Sequence, residues 1–412
     1  MRYRLYMLKN SVILSIVIFF TTGNSGFAQG HPMTVSQLLG QVNTVTTAVP
    51  FLMISPDSRA GGMGDAGVAS SPDANSIHWN PAKLAFLDKK MGLSISYTPW
   101  LRALVPDINL AYISFYIKPG SKKSDQTIAA SLRYFSLGDI TFTDITGATI
   151  GQFRPYEMAL DVAYSRKLAK RFSAGIAGRY IYSNLTNGID VGGANTHAAQ
   201  TFAVDLSIFY TNDKIKVGDK KSIFNFGLDL SNIGGKVAYT NTAQRDFIPT
   251  NLRLGGALTM ELDKYNSLSI IGDINKLLVP TPPYIDTVNH KTFGRATNVP
   301  VATGILYGLD PNDPPGGTTE YIREFDVCGG MEYWYDKLFA VRAGYFYEHP
   351  TKGNRKYFTL GAGIKYSVFT LDFAYLIPTD QRNPLQNTLR FTLVFDFDAL
   401  KDQNKESTGT TN

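Results

Sequence analysis

The sequence predicts an all-β protein, a fourteen-stranded antiparallel barrel that crosses a membrane. Three observations carry that prediction. From Gly92 to Phe397 the chain is a series of segments, each about ten residues long, in which apolar and polar residues alternate. The N-terminus reads as an export signal, and no later window approaches the roughly 18 apolar residues that a membrane-crossing helix needs. The connections alternate between short and long, as in barrels with tight turns at one rim and loops at the other.

The leader comes first. Arg2, Arg4 and Lys9 form a positive start, Ser11 to Phe20 an apolar core, and Gly26-Phe27-Ala28 a small-residue cleavage site. The apolar run is too short to span a bilayer, so residues 1–28 are expected to be a signal peptide cut after Ala28. Those three cations account for half of the formal net charge of +6. The remainder is too small to suggest nucleic acid as a partner. The single cysteine, Cys328, has no internal partner and lies at no lipoprotein cleavage site.

Residues 29–90 differ in character from the alternating segments after them. They contain Gly62-x-Gly64-x-x-Gly67, which on paper is a dinucleotide fingerprint. That motif has meaning only between a strand and a helix of a βαβ unit. Here Ser55-Pro56-Asp57-Ser58 precedes it and a barrel comes after it, so the glycines are expected to permit a tight backbone path instead.

Strands are predicted at about 92–98, 108–117, 127–136, 156–167, 171–183, 199–210, 223–233, 251–262, 267–276, 324–335, 339–347, 356–366, 369–376 and 388–397. In one of them Met158, Leu160, Val162 and Tyr164 alternate with Glu157, Ala159, Asp161, Ala163 and Ser165. Successive strand side chains point to opposite faces, so each segment has one apolar and one polar face. A soluble sandwich would alternate too. Here, however, the polar face mixes Gly, Ala and Ser with charges of both signs, as an enclosed lumen requires. The charged positions are Arg133, Asp161, Arg179, Asp205, Asp229, Arg253, Glu261, Asp273, Glu332, Arg342, Lys365, Asp372 and Arg390. Connections after even-numbered strands are mostly short and those after odd-numbered strands mostly long, which puts both barrel ends on the periplasmic side. The barrel thus covers residues 91–397, and 398–412 is a polar periplasmic tail.

Three stretches point to a family. They are SPDSRAGGMGDAGVASSPDANSIHWNPAKLAF at 55–86, SYTPWLRALVPDINLAYISFY at 96–116 and SLRYFSLGDITFTD at 131–144. Together they resemble the PorV (LptO) family of the Bacteroidetes type IX secretion system, within the FadL-like superfamily of outer-membrane barrels. The close match covers about residues 50–145, and the strand pattern extends it to the closing strand. The resemblance implies that residues 29–90 form a hatch, or plug, inside a barrel of the cell outer membrane. It also implies association with the type IX translocon barrel and binding of secreted cargo by its C-terminal domain. Cargo would then pass to the sortase-containing attachment complex.

On that reading Arg59, Gly61, Gly62, Gly64, Asp65, Asp73, Asn75, Trp79, Asn80 and Pro81 are the hatch motif, expected to tie the hatch to the lumen wall. Trp100, Leu101, Leu104 and Val105 make the first external loop apolar, and exposed apolar clusters mark contacts. Pro280, Pro282, Pro283 and Tyr284 open a long external loop, the other candidate protein-contact surface. The five histidines have no ligand spacing, and no nucleophile with a base is visible. No metal, cofactor or catalytic residue is therefore expected. The reading competes with a FadL-like channel for hydrophobic molecules and, more remotely, with a lipid-modifying enzyme.

Overall fold

The computed structural model describes residues 42–397, apart from 103, 104, 106, 122, 145, 189–194, 242–243, 287–290 and 381–382, and all of these belong to one compact unit. The expected signal peptide, the tail and Leu104 lie outside the described residues.

The strands are β1 (Met91–Pro99), β2 (Asn109–Ile117), β3 (Gln126–Ser136), β4 (Ile140–Thr143), β5 (Thr149–Phe153), β6 (Tyr156–Ala169), β7 (Phe172–Asn184), β8 (Ala199–Val217) and β9 (Lys220–Gly234). They continue as β10 (Asn251–Glu261), β11 (Asn266–Leu277), β12 (Tyr284–Asp286), β13 (Lys291–Phe293), β14 (Phe325–Tyr335), β15 (Phe339–Tyr347), β16 (Lys356–Tyr366), β17 (Phe369–Pro378) and β18 (Leu389–Asp396). Fourteen of them form one closed antiparallel barrel, while β4–β5 and β12–β13 are separate hairpins within loops. The ring shuts where β1 pairs with β18, from Gly92 opposite Asp396 to Tyr97 opposite Phe391. Closure leaves no strand edge unpaired, the condition for a sheet to exist in hydrocarbon.

The two faces are inverted relative to a water-soluble protein. Leu160, Val162 and Tyr164 on β6, and Phe202, Val204 and Leu206 on β8, point outward and are exposed. Their strand neighbours Asp161, Ser165, Asp205 and Ser207 are buried inside. In water such an apolar exterior would cost about 25 cal/mol per Å², whereas acyl chains accept it. Aromatic pairs gather near the strand ends, with Tyr156 stacked on Tyr134 at 5.5 Å and tilted against Tyr182 at 5.8 Å, and Phe369 against Phe395 at 5.1 Å. Rings at these depths form the interfacial girdles.

The predicted strands match the fourteen observed, with one notable difference. β8 and β9 run on to Val217 and Lys220, so the expected connection 211–222 is a tight turn at Gly218-Asp219. A register shift between Asn212 and Ile215 breaks the alternation there and hides the strand in the sequence. Glu261, expected in the lumen, ends β10 in an exposed position. The long loop after β11 also holds two helices, α3 (Val301–Leu309) and α4 (Gly317–Arg323).

Residues 42–90 run down through the barrel. Asn43 N–H donates to Thr351 O (2.9 Å) and Ala48 N–H to Phe247 O (2.8 Å), both on loops of the long-loop rim. Ala85 N–H donates to Ser165 Oγ (3.1 Å) near the short-turn rim, where the chain reverses into β1.

Candidate functional site

The lumen is built by this descending segment and the polar wall around it. Pro50–Met53 forms a 3-10 turn, and two single-turn helices come next, α1 (Ser58–Gly61) and α2 (Ser76–Trp79). Asp57 caps α1, accepting from Ala60 N–H (3.0 Å), and its other oxygen accepts from Trp79 Nε1 (2.6 Å). Burial still pushes the Asp57 carboxyl up to about 6. Asn80 caps the next turn, Pro81–Phe86, by accepting from Ala82 N–H (3.0 Å), and it donates to Ile208 O of the wall (3.0 Å). Lys83 is buried with its ammonium on Gly67 O (2.7 Å) and Ser70 Oγ (2.8 Å), and burial brings it down to about 8.

The glycine motif serves contact with the wall. Gly64 has φ +70, and a Cβ there would lie 2.6 Å from the Tyr345 backbone. Its N–H donates to Thr359 Oγ1 (2.8 Å). Gly67 and Val68 N–H both donate to Asp273 Oδ2, at 2.6 and 2.9 Å. Amides that hold phosphate in a nucleotide site here hold a carboxylate of the barrel's own wall.

Ion pairs fasten the rest. Arg59 pairs with Asp73 (2.8 Å) and Glu332 (2.8 Å), and Arg342 pairs with Glu332 (2.7 Å) and Asp372 (2.7 Å). Across the lumen Arg179 bridges Asp161 (2.5 Å) and Asp205 (2.9 Å). Asp65 accepts from Arg390 and from Tyr357 Oη (2.6 Å). Arg133 donates to Leu52 O (2.7 Å) and meets His78 Nδ1 at 2.6 Å. Burial and three nearby arginines hold His78 well below the usual imidazole range. Each charge faces an opposite charge or a backbone dipole, the arrangement that makes burial of ions tolerable.

The hatch-motif residues Arg59, Gly61, Gly62, Gly64, Asp65, Asp73, Asn75, Trp79, Asn80 and Pro81 thus all lie in this lumenal segment. Among the loop candidates, Trp100 turns inward onto the buried clusters of the lumen, while Val105 is exposed. Pro280 is buried beneath α3, and Pro282 O accepts from Asn43 Nδ2 (3.2 Å). Tyr284 packs on Phe293 at 6.4 Å. The sequence reading missed α3 itself. Gly304 sits on Phe247 and Pro280, and Gly308 on Leu278, so the helix lies close to the loop base. Their four-residue spacing was the available signal. The opposite face presents Leu306, 66% exposed, and Leu309; α4 meets α3 where Tyr321 Oη donates to Leu309 O (3.2 Å), and its Ile322 is 64% exposed.

Two cavities flank the filled lumen. One of about 360 Å³ at the long-loop rim is lined by Thr44–Thr47, Glu324, Asp326, Glu348, Lys352 and Arg355. The other, about 510 Å³, opens at the short-turn rim against Arg59, Glu332, Trp334 and Arg342. Among the described residues no group of three or more His, Cys, Asp or Glu is arranged to hold a metal ion.

An apolar exterior, a closed even-stranded ring, short turns at one rim and a lumen of paired charges define a transmembrane barrel of the outer-membrane type. Residues 37–284 match the family described as Type IX secretion system protein PorV. The chain belongs to that family and is an outer-membrane component of type IX secretion, in a family of transport proteins rather than enzymes. No curated protein matches it in sequence. Among solved structures, it is similar to the Ralstonia pickettii toluene transporter TbuX at 9% identity and a TM-score of 0.45, over 83% of this chain and 97% of that one. The Pseudomonas putida toluene transporter TodX gives 12% and 0.45 over 86% and 98%. A Pseudomonas aeruginosa FadL homologue gives 12% and 0.41 over 86% and 100%.

Proposed function

We propose that the protein works from its outer rim, as a cargo carrier of type IX secretion. It receives secreted proteins by their folded C-terminal domains at the translocon barrel. It then passes them to the sortase-containing attachment complex at the cell surface. The observation that carries this reading is the apolar face of Leu306, Leu309 and Ile322 on the loop rim. A lumen filled by residues 48–87 and fastened by ion pairs supports it, because work by a sealed barrel falls to its loops.

Deletion of the gene with a secretion assay is the first test: cargo reaching the surface in mature form without the protein would refute the proposal. Leu306→Glu with Leu309→Glu is the second. The variant barrel should fold and insert but fail to retain cargo in pull-down, and undiminished retention would exclude this face. The two mouth cavities favour a second reading, a channel for hydrophobic molecules that opens when the hatch moves. Uptake of fatty acid by vesicles bearing the purified barrel tests it, and no uptake above empty vesicles would remove it.

A further inference from the structure

Three neighbouring connections at the short-turn rim carry much of the chain's excess positive charge. Residues 166–171, 212–221 and 261–265 hold nine Lys or Arg against four Asp or Glu. Arg166, Lys170, Arg171, Lys214, Lys216 and Lys221 form no ion pair with any described residue. The charges sort by direction. On β6, Arg166 continues the outward row of Leu160, Val162 and Tyr164, and Leu168 beside it is 61% exposed. On β8 and β9, Val217 stands directly opposite Lys220 and Ile215 opposite Ser222, so Lys220 shares an outward face with Ile215 and Val217. In the next turn the Lys264 ammonium lies 5.2 Å from the ring centre of Tyr265, which is itself exposed. Lys216 and Lys221, also opposite one another, occupy the other face.

We infer that this outward arc binds the headgroups of anionic phospholipid in the inner leaflet of the outer membrane. Cations alone would suit an acidic protein equally well. What favours lipid is the interleaving. Arg166 and Lys220 lie among Leu168, Ile215 and Val217 on the side that continues the acyl-facing surface, and Lys264 lies over Tyr265 in the next turn. An apolar side chain there enters the acyl boundary while the neighbouring cation snorkels to a phosphate. The register shift between Asn212 and Ile215 sets Ile215 and Val217 on the same face as Lys220.

The test uses the intact barrel in nanodiscs of three parts phosphatidylcholine to one part phosphatidylglycerol, with the lipid shell counted by native mass spectrometry. Wild type should retain phosphatidylglycerol several-fold above its bulk share, and 1 M salt should abolish the preference. Each cation near the surface is worth about five-fold. Arg166→Gln with Lys220→Gln and Lys264→Gln should therefore bring the shell back to the bulk share. Lys216→Gln with Lys221→Gln should leave the preference intact. Unchanged heat-modifiable gel mobility controls for folding. Bulk-share retention by wild type, or equal effects of the two variants, would overturn the inference. So would loss of an acidic protein partner, rather than of lipid, from the outward variant.

Discussion

Removing the Glu332 carboxylate should loosen the lumenal segment more than any other single change to the wall. It accepts from Arg59 Nε (2.9 Å), Arg59 Nη2 (2.8 Å) and Arg342 Nε (2.7 Å). Glu332 and Arg342 are buried, at 3% and 0% exposure, and Arg59 is 14% exposed. Three charge-assisted bonds at about 1.5–3 kcal/mol each set a ceiling. Asp73 and Asp372 keep each guanidinium partly paired, which brings the expected loss for Glu332→Ala to about 3–5 kcal/mol. Glu332→Gln, which keeps one acceptor oxygen, should lose about half of that. In a double-mutant cycle with Arg59→Met, the pair should couple by about 2 kcal/mol. The assay is urea unfolding in vesicles followed by tryptophan fluorescence, since Trp79 and Trp100 face the lumen and Trp334 lines the adjoining cavity. Gel mobility reports barrel closure separately. A Glu332→Ala midpoint within about 0.5 kcal/mol of wild type, or additivity in the cycle, would refute the view that these ions hold the segment in place.

Three further outcomes are expected. Gly64→Ala combines a φ of +70 with contact to the Tyr345 backbone and should destabilise by about 2–3 kcal/mol in the same assay. Gly218→Ala, at φ +61 in an open turn, should cost only about 1 kcal/mol. Lys83 falls from an ordinary 10.5 to about 8 in the fold, so between those values the unfolded chain binds more proton and stability rises with pH. Lys83→Met should lose that rise, about 3 kcal/mol across the window, as measured by unfolding at pH 7.5 and 10.5. Val42→Cys, 81% exposed beside the long-loop rim, should react with impermeant maleimide on intact cells while buried Cys328 stays silent. Labelling only after permeabilisation would show that the long loops face the periplasm.

The barrel was legible because alternation is a local property. Leu160-Asp161-Val162 shows its two faces without knowledge of any neighbour. Even the cross-strand pairs Asp229–Arg253 and Glu332–Arg342 arise from hairpin register. What failed to show was local pattern broken by tertiary need. After Tyr210 the residues TNDKIKVGDKKS read as a loop, because a bulge at Asp213-Lys214 resets the faces. Val301–Leu309 was hidden by the prolines around it, which suggested an irregular connection. The glycine motif's partner, Asp273, lies 206 residues away from Gly67, and no spacing rule could name it.

The downward course of residues 42–90 has a consequence for how the molecule is made. A chain that descends through the ring and then turns back up into β1 is threaded like a cord through a bead of which it forms the first edge. The β1–β18 seam cannot shut first and receive the cord afterwards without passing its free end through a packed lumen. Threading must therefore precede or accompany closure. The segment then acts as a mandrel around which the last strand is wound, and its glycine contacts at Tyr345 and Gly361 gauge the bore. A folded domain spliced in ahead of residue 42 would have to emerge at the loop rim or leave the seam open, and gel mobility of such a fusion distinguishes the two.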